Sequence, residues 1–182
     1  MKILWRNRLL VLLVAFVWLP SPALAWEPEI GAKPKGLTQH EYLDGKPIDL
    51  SQFLGQPLVI YFGADWCQPC VESGKPAIVA MHKKYKDKGV KVLFVNMEDN
   101  KLRPGKIIEA EALGIPFAMA KLDLCPANKC PTGTRGDMGQ FGKLYRVPTA
   151  IVLNAEGQVT DKLEGGPGVA TGIEMAVQKN VK

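Results

Sequence analysis

The 182 residues carry 23 Lys and Arg against 18 Asp and Glu, a formal charge of +5 that on its face suits an anionic partner. Three of those positive charges, Lys2, Arg6 and Arg8, lie in the first 25 residues with no acidic residue among them, so without that segment the charge is +2. The 157 residues that remain are enough for one domain with its own core, and their charge gives no support to nucleic-acid binding.

The basic start is followed by an apolar run over residues 9–19, which Pro20 ends. Ala23-Leu24-Ala25 is a small-x-small cleavage pattern, so residues 1–25 read as a signal peptide with Trp26 as the first mature residue. The run is short for a membrane span, which needs about 20 residues. An uncleaved N-terminal anchor is the lesser alternative. Export brings four cysteines into a compartment where disulfides persist, and a signal of bacterial type points to the periplasm.

Residues 26–46, with Pro28, Gly31, Pro34 and Gly36, read as an irregular N-terminal extension ahead of a domain at 47–182. The apolar run Leu58-Val59-Ile60-Tyr61-Phe62 is a buried strand, and the segment after residue 70, with Ile78, Val79 and Met81, is a helix to about residue 86. A second strand follows at 90–95 and a helix at 107–113. Strands at 148–153 and 159–163 pair around the turn at Glu156-Gly157, and a last helix spans 169–177. The expected fold class is α/β, a mixed sheet flanked by helices.

Between the first strand and its helix lies Trp66-Cys67-Gln68-Pro69-Cys70. Two cysteines at this spacing can cycle between dithiol and disulfide, and a strand-turn-helix setting is where the motif signals redox chemistry. Cys67 falls at the helix N-terminus, where unpaired N–H groups and the helix dipole favour a thiolate. Cys70 falls one turn in and more buried, suited to resolving a mixed disulfide. Cys67 is thus the attacking sulfur. A zinc site would need two more ligands, and the next cysteines are distant.

The second landmark is Val147-Pro148-Thr149, which opens the run Ala150-Ile151-Val152-Leu153. With Trp-Cys-x-Pro-Cys at one end and Val-Pro-Thr at the other, the sequence resembles the thioredoxin superfamily. The segment 48–55 ahead of the central strand resembles the lead-in of TlpA/ResA-type exported thiol-disulfide oxidoreductases. The resemblance implies a thioredoxin fold in which Pro148 follows a cis peptide bond and faces the disulfide. It also implies that Trp66, Val147 and Thr149 contact substrate, whose extended backbone pairs with groups the proline leaves free. It covers about 47–100 and 144–180, with an insertion at about 101–142, between the strand at 90–95, the third strand of the family's fold, and the Pro148 strand.

That insertion holds Cys125 and Cys130, which read as a second disulfide stapling a tight loop. A second redox pair is the alternative, and metal capture the least favoured, with no histidine nearby. Arg135-Gly136-Asp137 is a turn-rich loop rather than an adhesion signal.

The chain departs from the family at several points. Tyr61 stands six residues before Cys67, where thioredoxins carry a buried Asp, and Phe94 stands where a lysine often pairs with it. TlpA/ResA relatives commonly carry a Glu three residues after the second cysteine, where this chain has Ser73. Glu72 is a candidate proton acceptor for Cys70, against the plainer reading that it sits favourably in a helix's first turns. The helix proline, Pro76, is one residue late, an extra residue a helical bulge accommodates.

The expected reaction is thiol-disulfide exchange on disulfide-bearing proteins, in the reducing direction, because Gln68-Pro69 keeps the proline of reducing motifs. No cofactor is needed and a monomer is expected. By analogy with the family, a membrane thiol transporter of the DsbD/CcdA type would supply electrons. An oxidase or isomerase, a non-enzymatic assembly module and a metal-handling factor are the rival readings.

Overall fold

A computed structural model of the chain describes residues 29–121 and 146–181. The signal segment at 1–25, Cys125, Cys130 and the loop with Arg135-Gly136-Asp137 lie outside the described residues.

Every residue of the central strand β3 (Leu58–Gly63) is buried. An unbroken apolar run becomes a strand only where both sheet faces are covered. Leu58, Ile60 and Phe62 enter one core with Leu93, Val95, Ile151 and the two cysteines of the motif. Val59 and Tyr61 enter the other, with Phe94, Phe117, Ala150 and the helices.

Ahead of β3 come β1 (Gly36–Tyr42) and β2 (Pro47–Asp49), and after it β4 (Lys91–Asn96), β5 (Phe117–Ala120), β6 (Thr149–Leu153) and β7 (Val159–Glu164). They form one seven-stranded sheet in the order β2-β1-β5-β4-β3-β6-β7. β4 lies parallel to β3 and to β5, and the remaining neighbours are antiparallel. The helices are α1 (Lys75–Tyr85), α2 (Arg103–Leu113) and α3 (Gly166–Gln178). Ile78 and Met81 of α1, Val169 and Ile173 of α3, and Ala110 and Leu113 of α2 all pack against the Tyr61 side of the sheet. There Tyr61, Phe94 and Phe117 form an aromatic row with centroids 5.0 and 4.9 Å apart. The mixed sheet with flanking helices is the architecture that the resemblance implied.

Three strands, β1, β2 and β5, have no counterpart in the sequence reading. Part of the stretch expected to be irregular, 26–46, is β1, whose polar composition hides a strand that earns its place by pairing with β5. β5 itself is only four residues long, two of them alanine, and lies inside the expected insertion. Residues 103–120 are therefore integral to the sheet and its cover. α2 also starts earlier than residue 107, because Pro104 sits in its first turn, where a missing N–H costs nothing. Gly114, at φ 63°, ends it.

His40 on β1 is buried opposite Ala120, and neither ring nitrogen finds a hydrogen-bond partner among the described residues. Burial pushes its pKa from 6.5 down to about 4. The folded state therefore holds His40 neutral where the unfolded chain would protonate it. The associated stability is fully present above pH 6.5 and is lost as the pH falls through about 4. The expected loss is about 3 kcal/mol. Urea titrations from pH 7 to pH 4 check this: His40→Phe should flatten that part of the slope, and an unchanged slope would refute it.

Candidate active site

The chain leaves β3 through Ala64-Asp65-Trp66, and the Cys67 N–H donates to Ala64 O at 3.3 Å, closing a tight turn. Helical bonding begins at once, with the N–H groups of Cys70 and Val71 donating to Cys67 O at 2.9 and 3.1 Å. Cys67 and Cys70 are joined as a disulfide with Cα atoms 5.2 Å apart. Cys70 is 1% exposed and Cys67 6%, the order expected for resolving and attacking sulfurs. The Cys70 N–H also lies 3.3 Å from Cys67 Sγ, where it would stabilise a thiolate once the bond opens.

The extra residue before Pro76 is absorbed as a π turn at Cys70–Gly74. A Cβ on Gly74 would lie 2.6 Å from Tyr61 Oη and 3.1 Å from Pro148 Cβ and Cγ, so only glycine allows this approach. The Tyr61 hydroxyl donates to Cys70 O at 3.3 Å. Burial, reinforced by the Asp65 charge, pushes the phenol far above its ordinary value, so it acts as a donor and not as a base. Glu72 does not turn towards Cys70. Its Oε1 accepts from Gln68 Nε2 at 2.8 Å on the exposed side of the turn. Ser73 Oγ donates to Pro69 O at 2.9 Å. Gly166, at the start of α3, packs so closely that a Cβ there would lie 2.9 Å from Pro69 O.

Across the site the Val147–Pro148 peptide is cis. Val147 O lies 3.5 Å from Cys67 Sγ, so β6 brings the second landmark against the first. Thr149 is 1% exposed and its Oγ1 donates to Arg146 O at 2.9 Å. Its side chain therefore ties the strand start back to Arg146. Trp66 is 59% exposed, with its Nε1–H donating to Met97 O at 3.3 Å. Val71, in the turn after Cys70, is a further exposed apolar residue near the motif, one the sequence reading passed over.

Sequence reasoning also missed a ring of charges beside the motif. Lys75 Nζ of α1 lies 2.9 Å from Asp65 Oδ1 and 2.6 Å from Glu109 Oε1. Lys106 Nζ of α2 lies 2.5 Å from Asp65 Oδ2 and 2.9 Å from Glu109 Oε2. Burial opposes charge on Asp65 and Glu109, but hydrogen bonds from the two lysines outweigh it and hold both carboxyls below their ordinary range. The same bonds outweigh burial at Lys106 and raise its ammonium. The Asp65 N–H donates in turn to the buried Glu98 carboxylate.

The family model described as Redoxin matches residues 31–170. Thiol-disulfide oxidoreductase ResA of Bacillus thuringiensis subsp. konkukian is 26% identical over 126 residues, which cover 68% of this chain and 63% of that protein. The chain thus matches less than two thirds of that relative's length. Among solved structures, a thiol:disulfide interchange protein from Bacteroides sp. has a TM-score of 0.61 at 20% identity, over 84% of this chain and 90% of its own. A thiol:disulfide interchange protein of the thioredoxin family from Chlorobium tepidum TLS has a TM-score of 0.54 at 20% identity, over 85% of this chain and 100% of its own. These structures share the fold, and with the Redoxin match spanning most of its residues the chain belongs to the Redoxin family.

Proposed function

We propose that the protein is a thiol-disulfide oxidoreductase that reduces disulfides of exported proteins. The observation that carries this reading is the Cys67–Cys70 disulfide at a helix start, with Val147 O 3.5 Å from the attacking sulfur and Pro148 beside it. In the reduced protein, Cys67 thiolate attacks one sulfur of a substrate disulfide. The substrate S–S bond breaks, the mixed disulfide forms, and the other substrate sulfur leaves as a thiolate that takes up a proton. Cys70, deprotonated, then attacks Cys67 Sγ, breaking the mixed disulfide and releasing the second substrate thiol. Two electrons pass to the substrate and the Cys67–Cys70 disulfide is restored.

Trp66 and Val71 are exposed apolar side chains near the motif on which a substrate chain can rest. Val147 supplies a backbone carbonyl beside the sulfur. Export through the segment at 1–25 delivers the protein to the periplasm, where a membrane thiol donor of the DsbD/CcdA type re-reduces it and it works as a monomer. No helix among the described residues is long and apolar enough to cross a membrane.

The test is the reduction potential of the Cys67–Cys70 pair, equilibrated in thiol buffers and read by alkylation and mass spectrometry, so that Cys125 and Cys130 are scored separately. A value near or below about −270 mV is expected for a reductase. A value above about −180 mV would overturn that direction and make the protein an oxidase or isomerase.

A further inference from the structure

The ring Lys75–Asp65–Lys106–Glu109 joins three elements at one point: the turn that carries Cys67, the start of α1, and α2. It contains two positive and two negative charges and is formally neutral. Asp65 belongs to the turn closed by the Cys67 N–H on Ala64 O, so its carboxylate is the ring's nearest charge to Cys67 along the chain. Lys106 is the ring's most buried member, with its side chain 4% exposed, and a buried ammonium persists only where carboxylates surround it.

The other charged groups around the motif are already engaged. Glu98, beyond β4, accepts the Asp65 N–H; Glu72 of the π turn is bonded to Gln68; and Arg146, ahead of Val147, lies 3.8 Å from Glu164. The phenol of Tyr61, on β3, is occupied by Cys70 O. The ring thus brings two cations, Lys75 and Lys106, into direct contact with the Cys67 turn through Asp65.

We propose that this ring is a positioning element for the thiol chemistry: Lys75 and Lys106 hold Asp65 neutralised beside Cys67, and the ring's charge balance sets how readily Cys67 forms a thiolate. The inference rests on the exchange reading of the Cys67–Cys70 pair. It gives α2 a task at the active site in addition to covering the sheet. None of the four residues touches the reacting sulfurs; they act through the turn and through its local field.

A signed response separates this role from simple loss of structure. Asp65→Asn leaves the ring with a net positive charge, which favours the thiolate. Lys106→Gln leaves it net negative, which disfavours the thiolate. The experiment follows iodoacetamide modification of Cys67 in the fully reduced, full-length protein across a pH series, with the Cys67 peptide read by mass spectrometry. Asp65→Asn is expected to lower the midpoint of the profile by about half a unit to one unit, and Lys106→Gln to raise it by a similar amount. Glu109→Gln should follow Asp65→Asn in sign, Lys75→Gln should follow Lys106→Gln, and Lys106→Arg should restore the wild-type midpoint. If Lys106→Gln does not fold, Lys75→Gln supplies the cation-removing arm. Shifts of the same sign in the anion-removing and cation-removing variants, or midpoints all within about 0.2 units of wild type, would overturn the proposal. Failure of the wild-type protein to reduce insulin disulfides would instead strike the exchange reading itself, because the alkylation profile needs no turnover.

Discussion

Cys67→Ser is expected to abolish disulfide reduction, with turnover falling by on the order of 10³-fold or more to the background of the assay. Serine keeps the shape of the turn and its hydrogen bond to Ala64 O, but its hydroxyl is not ionised at neutral pH and cannot form a mixed disulfide. Cys70→Ser has a different expected outcome. Cys67 still attacks, the resolving step is lost, and a covalent enzyme-substrate adduct accumulates, visible as added mass without reductant. The contrast follows from burial, since Cys70 at 1% exposure is poorly placed to meet a protein substrate itself. Retained turnover in Cys67→Ser would assign the activity to another thiol pair and end the exchange reading of this site.

The largest expected effect on stability is at Arg103. Its guanidinium is buried at the start of α2 and donates to Tyr42 O and Leu43 O at 3.2 Å each, to Glu41 Oε1 at 3.1 Å, to Ala120 O at 3.0 Å and to Asn100 Oδ1 at 2.9 Å. One side chain thereby fastens the end of β1, the end of β5 and the helix to each other. Arg103→Met fills much of the volume but leaves the Glu41 carboxylate and several carbonyls without their donors. The expected cost is about 3–5 kcal/mol, measured by urea unfolding at pH 7. Lysine should rescue little, because a single ammonium cannot span a fork-shaped set of acceptors. Amide exchange should accelerate first in β1, since its outer neighbour β2 is only three residues long. A loss under about 1 kcal/mol would mean that these bonds are replaced by water at no cost.

The parts of the molecule that were legible in the sequence share a physical trait: they are determined by neighbours close along the chain. β3 announces itself by five consecutive apolar residues, and the cysteines by their spacing. β6 and β7 are marked by a turn between them, and the π turn by a proline displaced one place. What was not legible is set by distant partners. β1 is a polar segment that becomes a strand because β5 is there to pair with it, and β5 is too short and too rich in alanine to stand out. The charge ring is more distant still, since Lys106 and Asp65 are 41 residues apart and nothing local distinguishes either from a surface charge. Glu72 shows the opposite error. Its proximity to Cys70 in sequence suggested a role, but the π turn directs its carboxylate to Gln68. Thr149 lies in a landmark motif, yet its hydroxyl is consumed by Arg146 O.

The place of β5 between β1 and β4 also imposes an order on how the chain can assemble. β3 and β4 pair across 33 residues, as in Leu58 with Lys91, whereas His40 of β1 meets Ala120 of β5 across 80. Closing the longer loop costs more entropy and depends on a partner that is synthesised later. A chain delivered from its N-terminus thus carries β1, already paired with β2 on one side, with its other edge open until residues 117–120 have been made. The first strand to appear is completed only after the β3–β4 pair, and until then its open edge can mispair with other chains.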